Sequence, residues 1–373
     1  MLKKIKYIFL LLILGAIGVV THRFISTQKQ IEPYPYKFTY EQSPNQEINQ
    51  SDVLVFGDQK ALELKSLTDN IVKVTSKNLR YPLKVEFWAQ RDEGLHRILH
   101  KLKSLKKLPK MIIVYLGSSE HTELKFRPNQ YQKILKNIER YDNQKLLSLI
   151  MTLPDLSRFI YEPVKPILLS KEIIPFDKDI STKAKQIILE VSFKIFELEL
   201  SELIYFARQN NSKLLFITDP INFELAPKEV CDNANSNTIV IEQNDIRRLL
   251  KESKVKDAYY RSRKLLSVTN GNAYSHYLVG HSAMRLGKYG EAKKELMLAH
   301  AYDCKFWRTH PVLNSIIRNK AKRESIPIID FDHMVNIQLG RKALFLSDDT
   351  PQSIYYEQLE KELLFQIEQT FNL

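Results

Sequence analysis

Cysteine is nearly absent: the 373 residues hold two, Cys231 and Cys304. Two thiols cannot build a metal site alone, and one disulfide is the most they can make. Glycine and proline are scarce, at 10 and 15 residues, which speaks against long flexible linkers. No nucleic-acid motif is present, and no basic block is interleaved with aromatics, so nucleic acid is a poor partner despite a formal net charge of +13. That charge has two readings: a lysine-rich solubilising surface, or attraction to lipid headgroups or an acidic glycan. The hydrophobic share, 44%, suffices for one large domain with an insertion, or for two domains.

Charge is also missing from residues 7–20, which follow Lys3, Lys4 and Lys6 and precede His22-Arg23. Lysines before an apolar run predict an uncleaved single-pass anchor in the cytoplasmic membrane over residues 1–22, with the remainder exported. A signal peptide cut near residues 16–18 is the alternative. No cysteine follows the run, so a lipoprotein is excluded. Residues 23–50 read as a tether rich in Gln, Pro and Tyr.

Beyond the tether, short apolar runs at 53–56, 83–88, 111–116, 214–218 and 326–331 read as strands, most of them buried on both faces. Helical patterns alternate with them at 94–105, 183–208, 311–323 and 352–371. The alternation predicts an α/β fold, a parallel sheet of about five strands flanked by helices, with ligand chemistry beyond the strands' carboxyl ends. Two stretches break it. Residues 126–179 are helical and prolyl, and 241–303 look all-helical. This divides the α/β domain into 51–240 and 304–373 around an insertion. Within the insertion Gly280, Gly287, Tyr289, Ala292, Leu296 and Ala299 fall at the small and aromatic positions of a tetratricopeptide-like helix pair.

The motifs in order are VLVFGDQ (53–59), VYLGSSE (114–120), an aliphatic strand ending IIDF (328–331), and FLSDDTPQSIYYEQL (345–359). In that order and spacing the chain resembles the SGNH (GDSL-type) hydrolases, an esterase and acyl-transfer family with a flavodoxin-like sheet, and most of all an exported branch with a tetratricopeptide-like insertion. The resemblance implies a serine after Gly-Asp, a glycine and an asparagine as oxyanion donors, and an Asp-x-x-His pair. Here Gln59 stands at the serine, Ser119 at the asparagine, Ser347 at the acid and Thr350 at the base. No glycine stands in the second block near Trp88; Gly94 is the nearest. Gly57, Asp58, Gly117 and Pro351 are retained.

Single losses from such a triad cost on the order of 10⁴–10⁶ in rate, so the family site is expected to be inactive. Asp58, Trp88, Glu120, His121 and Asp348 are candidates to line what is left of the pocket. A rewired Ser-His-Asp or Asp/His metal set can be drawn on paper from Ser118, Ser119, His121, Asp330, Asp332, His333, Asp348 and Asp349. Solvated loops account for the same residues. His96 and His100 lack the intervening Glu of a zinc-protease helix and stand beside Arg97 and Lys101, so they are expected at the surface. No cofactor and no metal are implied. The expected role is binding an envelope glycan or lipid, or a membrane protein such as an O-acyltransferase. An esterase or acyl-transfer accessory role, and a docking scaffold built on the helical insertion, are the alternatives.

Overall fold

The computed structural model describes residues 2–26, 36–75, 83–123, 125–143, 164–165, 167–173, 182–230, 237–305 and 307–372. In chain order its elements are α1 (Leu2–Ser26), β1 (Tyr36–Phe38), α2 (Gln46–Asn49), β2 (Val53–Phe56), α3 (Gln59–Glu63), α4 (Lys65–Thr75), β3 (Val85–Phe87), α5 (Leu95–Ser104), β4 (Met111–Leu116), α6 (Tyr131–Asn143), β5 (Ile167–Leu169), α7 (Thr182–Gln209), β6 (Lys213–Thr218), α8 (Asn237–Lys251), α9 (Val255–Val268), α10 (Ala273–Arg285), α11 (Tyr289–Ala301), α12 (Pro311–Glu324), β7 (Ile328–Ile329), α13 (Phe331–Asn336) and α14 (Ser353–Phe371). Most of the prolyl stretch within 126–179 lies outside the described residues.

The chain divides into two compact units, one of Met1–Thr39 with Lys125–Ser170, the other of Tyr40–Leu124 with Lys171–Leu373. In the smaller unit β1 pairs in parallel with β5, Tyr36 opposite Ile167 and Phe38 opposite Leu169. The same unit contains α1. Among the described residues no helix is long and apolar enough to cross a membrane, which overturns the expectation of a single-pass membrane anchor. The physical reason is length: the apolar run within α1, residues 7–20, holds 14 residues. At 1.5 Å per residue that is about 21 Å, against about 30 Å of hydrocarbon.

The larger unit holds a five-stranded sheet in the order β3-β2-β4-β6-β7, every pair parallel. Renumbered within the sheet this is 2-1-3-4-5, the flavodoxin-like order, whose switch point lies between β2 and β4. Strand residues alternate between two apolar layers. Val53, Val55, Ile113, Tyr115, Leu215 and Ile217 pack with Ile71 of α4, Phe331 of α13 and Leu359 and Leu363 of α14. Leu54, Phe56, Ile112, Val114, Leu116 and Phe216 pack with Leu95 and Ile98 of α5, Phe196 and Leu200 of α7, and Leu313 and Ile317 of α12. Burial on both faces is why β2 and β4 read as unbroken apolar runs without polar alternation.

Between β6 and α12 stand four described helices, α8 to α11. Asn272 caps α10 by accepting from the Ser275 amide at 3.0 Å. Gly280 of α10 lies against Leu296 of α11, so close that a Cβ there would sit 2.6 Å from Leu296 Cγ. Ala292 is fully buried beside Tyr259 and Ala283. Cys304, just after the insertion, is disulfide-bonded; the chain's other cysteine, Cys231, lies outside the described residues.

Candidate functional site

The β2–β4 switch point carries a polar group built by two sharp strand exits. Gly57 leaves β2 at φ +145°, and a Cβ there would stand 2.7 Å from both Ala61 Cβ and the Tyr115 carbonyl oxygen. Only glycine allows that approach. Gly117 leaves β4 at φ +109°, and a Cβ there would come within 3.3 Å of Thr309 Cγ2.

Asp58 follows as the N-cap of α3, its Oδ1 accepting from the Lys60 amide at 2.9 Å. Its Oδ2 accepts from the hydroxyls of Ser118 and Ser119. Burial pushes the Asp58 carboxyl above its ordinary range, and the two serine hydroxyls offset this in part. Gln59, half-buried, points its Oε1 to Arg91 Nε at 3.2 Å.

Lys60 links this group to the loop where the family's acid and base would stand. Its buried side chain donates from Nζ to the Asp349 carbonyl at 3.0 Å and lies 3.5 Å from the Asp349 carboxylate. That loop is a tight reversal, with Leu346 N–H to Thr350 O at 2.8 Å and Gln352 N–H to Leu344 O at 3.0 Å. Ser347 Oγ and Thr350 Oγ1 both donate to Asp349 Oδ1, at 3.1 and 3.3 Å. Asp348 is exposed. The positions 59, 119, 347 and 350 therefore come to one edge through Asp58, Lys60 and Asp349.

A second buried carboxylate, Asp219, stands just after β6. It accepts from Tyr115 Oη at 3.2 Å and from Thr309 Oγ1, and Asn314 Nδ2 holds its carbonyl at 2.8 Å. Burial pushes its carboxyl up to about 7, with Asp58 adding repulsion and Lys60 attraction. Tyr115 is driven well above its ordinary value by burial and by Asp219, so it stays protonated and donates. One ammonium thus serves two buried carboxylates.

No protein-family model matches the chain, and no curated protein does. Among solved structures the chain is similar to a protein of Bacteroides fragilis described as a "putative acylhydrolase", at 10% identity and a TM-score of 0.31, over 88% of this chain and 91% of that one.

The other candidates are placed differently. Trp88 packs against Phe56, ring centroids 5.9 Å apart, and under Lys101 Nζ at 5.6 Å, on the α5 face of the sheet. Gly94 is the N-cap of α5. Glu120 Oε1 accepts from the Leu95 amide at 2.7 Å. His121 bonds the Ser118 backbone, and burial pushes its imidazole down to about 4 against the pull of Asp92 and Glu120. Asp330 and Asp332 grip Arg318 at 2.7 and 2.6 Å, and Asp330 caps α13 by accepting from the His333 amide at 3.2 Å, so this set is structural. His96 is fully buried, contrary to the surface position expected for it, because Glu123 meets its Nε2 inside the fold. A cavity of about 170 Å³ between α7 and the end of α11, lined by Gln186, Phe193 and Tyr302 among others, is distant in sequence from these groups. It is smaller than sites that enclose organic ligands.

Lys60, Tyr115, Asp219, Thr309 and Asn314 are the site residues that motif reading missed. The one signal was Asp219-Pro220 closing a strand that already points to the sheet's ligand edge.

Proposed function

We propose that the chain is a non-hydrolytic relative of the SGNH hydrolases, which uses the β2–β4 edge to bind an envelope glycan or acylated ligand without cleaving it. One observation carries the reading. The Asp58 carboxylate is occupied by two serine hydroxyls and an amide, and the residue beside it is Gln59, already bonded to Arg91. An acyl-transfer site needs a hydroxyl paired to a base and donors aimed at the developing oxyanion. Thr350, at the base position, is an alcohol spent on Asp349.

A second reading is a rewired serine site, favoured by His121 lying neutral against the Ser118 backbone. The test is turnover of p-nitrophenyl acetate with labelling by a fluorophosphonate. The proposal expects neither, and no rescue by Gln59→Ser. Stoichiometric labelling of Ser118 or Ser119 in the wild type would establish the second reading instead.

A further inference from the structure

A second buried polar cluster lies where the loop before α5, the first turns of α5, the loop after β4 and the middle of α7 meet. His96, Glu120 and Glu199 each present a ligand atom there, and these atoms all lie within 4.8 Å of one another. The three residues are 0%, 6% and 1% exposed.

We infer that His96, Glu120 and Glu199 form a site for a divalent transition cation of the zinc class. Three donors around such an ion at about 2.0–2.2 Å stand roughly 3.4 Å apart in a tetrahedral arrangement, so the cluster needs only an ångström or so of side-chain closure. An imidazole nitrogen with two carboxylates selects against magnesium and calcium, which take oxygen alone, and the absence of thiolate selects against soft ions. Two carboxylates match the ion's two positive charges.

The surroundings have the form of a supporting shell. Glu123 meets His96 Nε2 and is itself held by Arg97. A carboxylate on one ring nitrogen orients the imidazole so that the other nitrogen can ligate. That other edge lies beside Gly94, where a single point, the position of an added Cβ, is 3.0 Å from His96 Nδ1 and 3.6 Å from Glu120 Oε2. Glu120 is fixed through its Oε1 by the Leu95 amide at 2.7 Å.

A separate observation points the same way. Glu93 is 3% exposed, and its Oε1 has no hydrogen-bond partner among the described residues, although Oε2 holds Lys101 at 2.5 Å. It lies within electrostatic reach of His96 and Glu123.

The experiment uses the full chain, stripped with a chelator and titrated with Zn²⁺ against a chromophoric competitor, with Tm followed in parallel. One ion per chain and a raised Tm are expected. His96→Gln and Glu199→Gln should each weaken binding at least tenfold. No saturable binding by the wild type, or variants that bind like it, would overturn the inference. Should the variants fail to fold, Co²⁺ loaded into the wild type decides. An intense visible band of tetrahedral cobalt supports the site, and the weak spectrum of the hydrated ion refutes it.

Discussion

Gly57 shows how much of the candidate site depends on one missing side chain. Its φ of +145° and the 2.7 Å approach of Ala61 Cβ and the Tyr115 carbonyl leave no room for a Cβ. The carbonyl belongs to β4 and cannot withdraw without breaking register with β2 and β6. Gly57→Ala is therefore expected to destabilise the fold by about 3 kcal/mol, combining backbone strain with overpacking. A fall in the urea midpoint at unchanged slope would measure it, and a midpoint like the wild type's would show that the turn relaxes freely. The same residue was legible beforehand, because an apolar strand ending in Gly-Asp at a parallel sheet's ligand edge has few other uses. Asp219 was not: a lone acid after a strand looks like any solvated loop residue until Tyr115 and Thr309 are seen to close over it.

At the scale of elements, legibility follows how local the cause is. β2 and β4 run over the residues expected of them, because burial on both faces is written into consecutive apolar side chains. β7 shrinks from an expected six residues to Ile328–Ile329, since its neighbour β6 offers it pairing only at Phe216 and Ile217. In sequence α5 shows only its apolar stripe, and its charged face reads as a solvated one. That face is buried too, because Glu93 and Glu123 arrive from outside the helix to meet Lys101 and Arg97, and long-range ion pairs leave no mark in a helical period. α1 departs from its expectation for the opposite reason: flanking lysines lend weight to an apolar run that is too short to span. The α10–α11 pair was foreseen from Gly280 and Ala292, and it gives a direct test. Gly280→Val would drive a side chain into Leu296, whose backbone nitrogen lies 3.0 Å from the added Cβ. The expected cost is about 1–3 kcal/mol, read as a lowered Tm. Ala292→Leu should do the same, and an unaltered Tm for both would mean the helices are not pressed together there.

At the scale of the whole molecule, buried titratable groups set two opposing pH dependences. His121 and His310 are pushed by burial to about 4 and about 3, and His300 well below its ordinary value. The unfolded chain takes up protons on these imidazoles below about 6.5 while the native one does not, so they remove stability as pH falls. Asp219 and Glu93, both lifted to about 7 by burial, act the other way. Unfolded carboxyls ionise near pH 4, whereas the native ones hold their protons until about 7, so stability is lost as pH rises across that window. The two slopes offset each other in the wild type, and a single substitution separates them. Asp219→Asn keeps an acceptor for Tyr115 and a polar partner for Thr309, and removes the ionisation. Near pH 3 it should be about as stable as the wild type, where Asp219 is protonated in the folded chain and in most of the unfolded one. From there to about pH 7 it should gain steadily on the wild type, which must ionise a buried carboxylate beside Asp58 with the Thr309 and Tyr115 hydroxyls and Lys60 to offset the burial. Urea unfolding at pH 3, 6 and 8 reads the difference directly. A gap between the two proteins that does not widen with pH would mean that Asp219 is already ionised across the range, and that Lys60 suffices for both carboxylates.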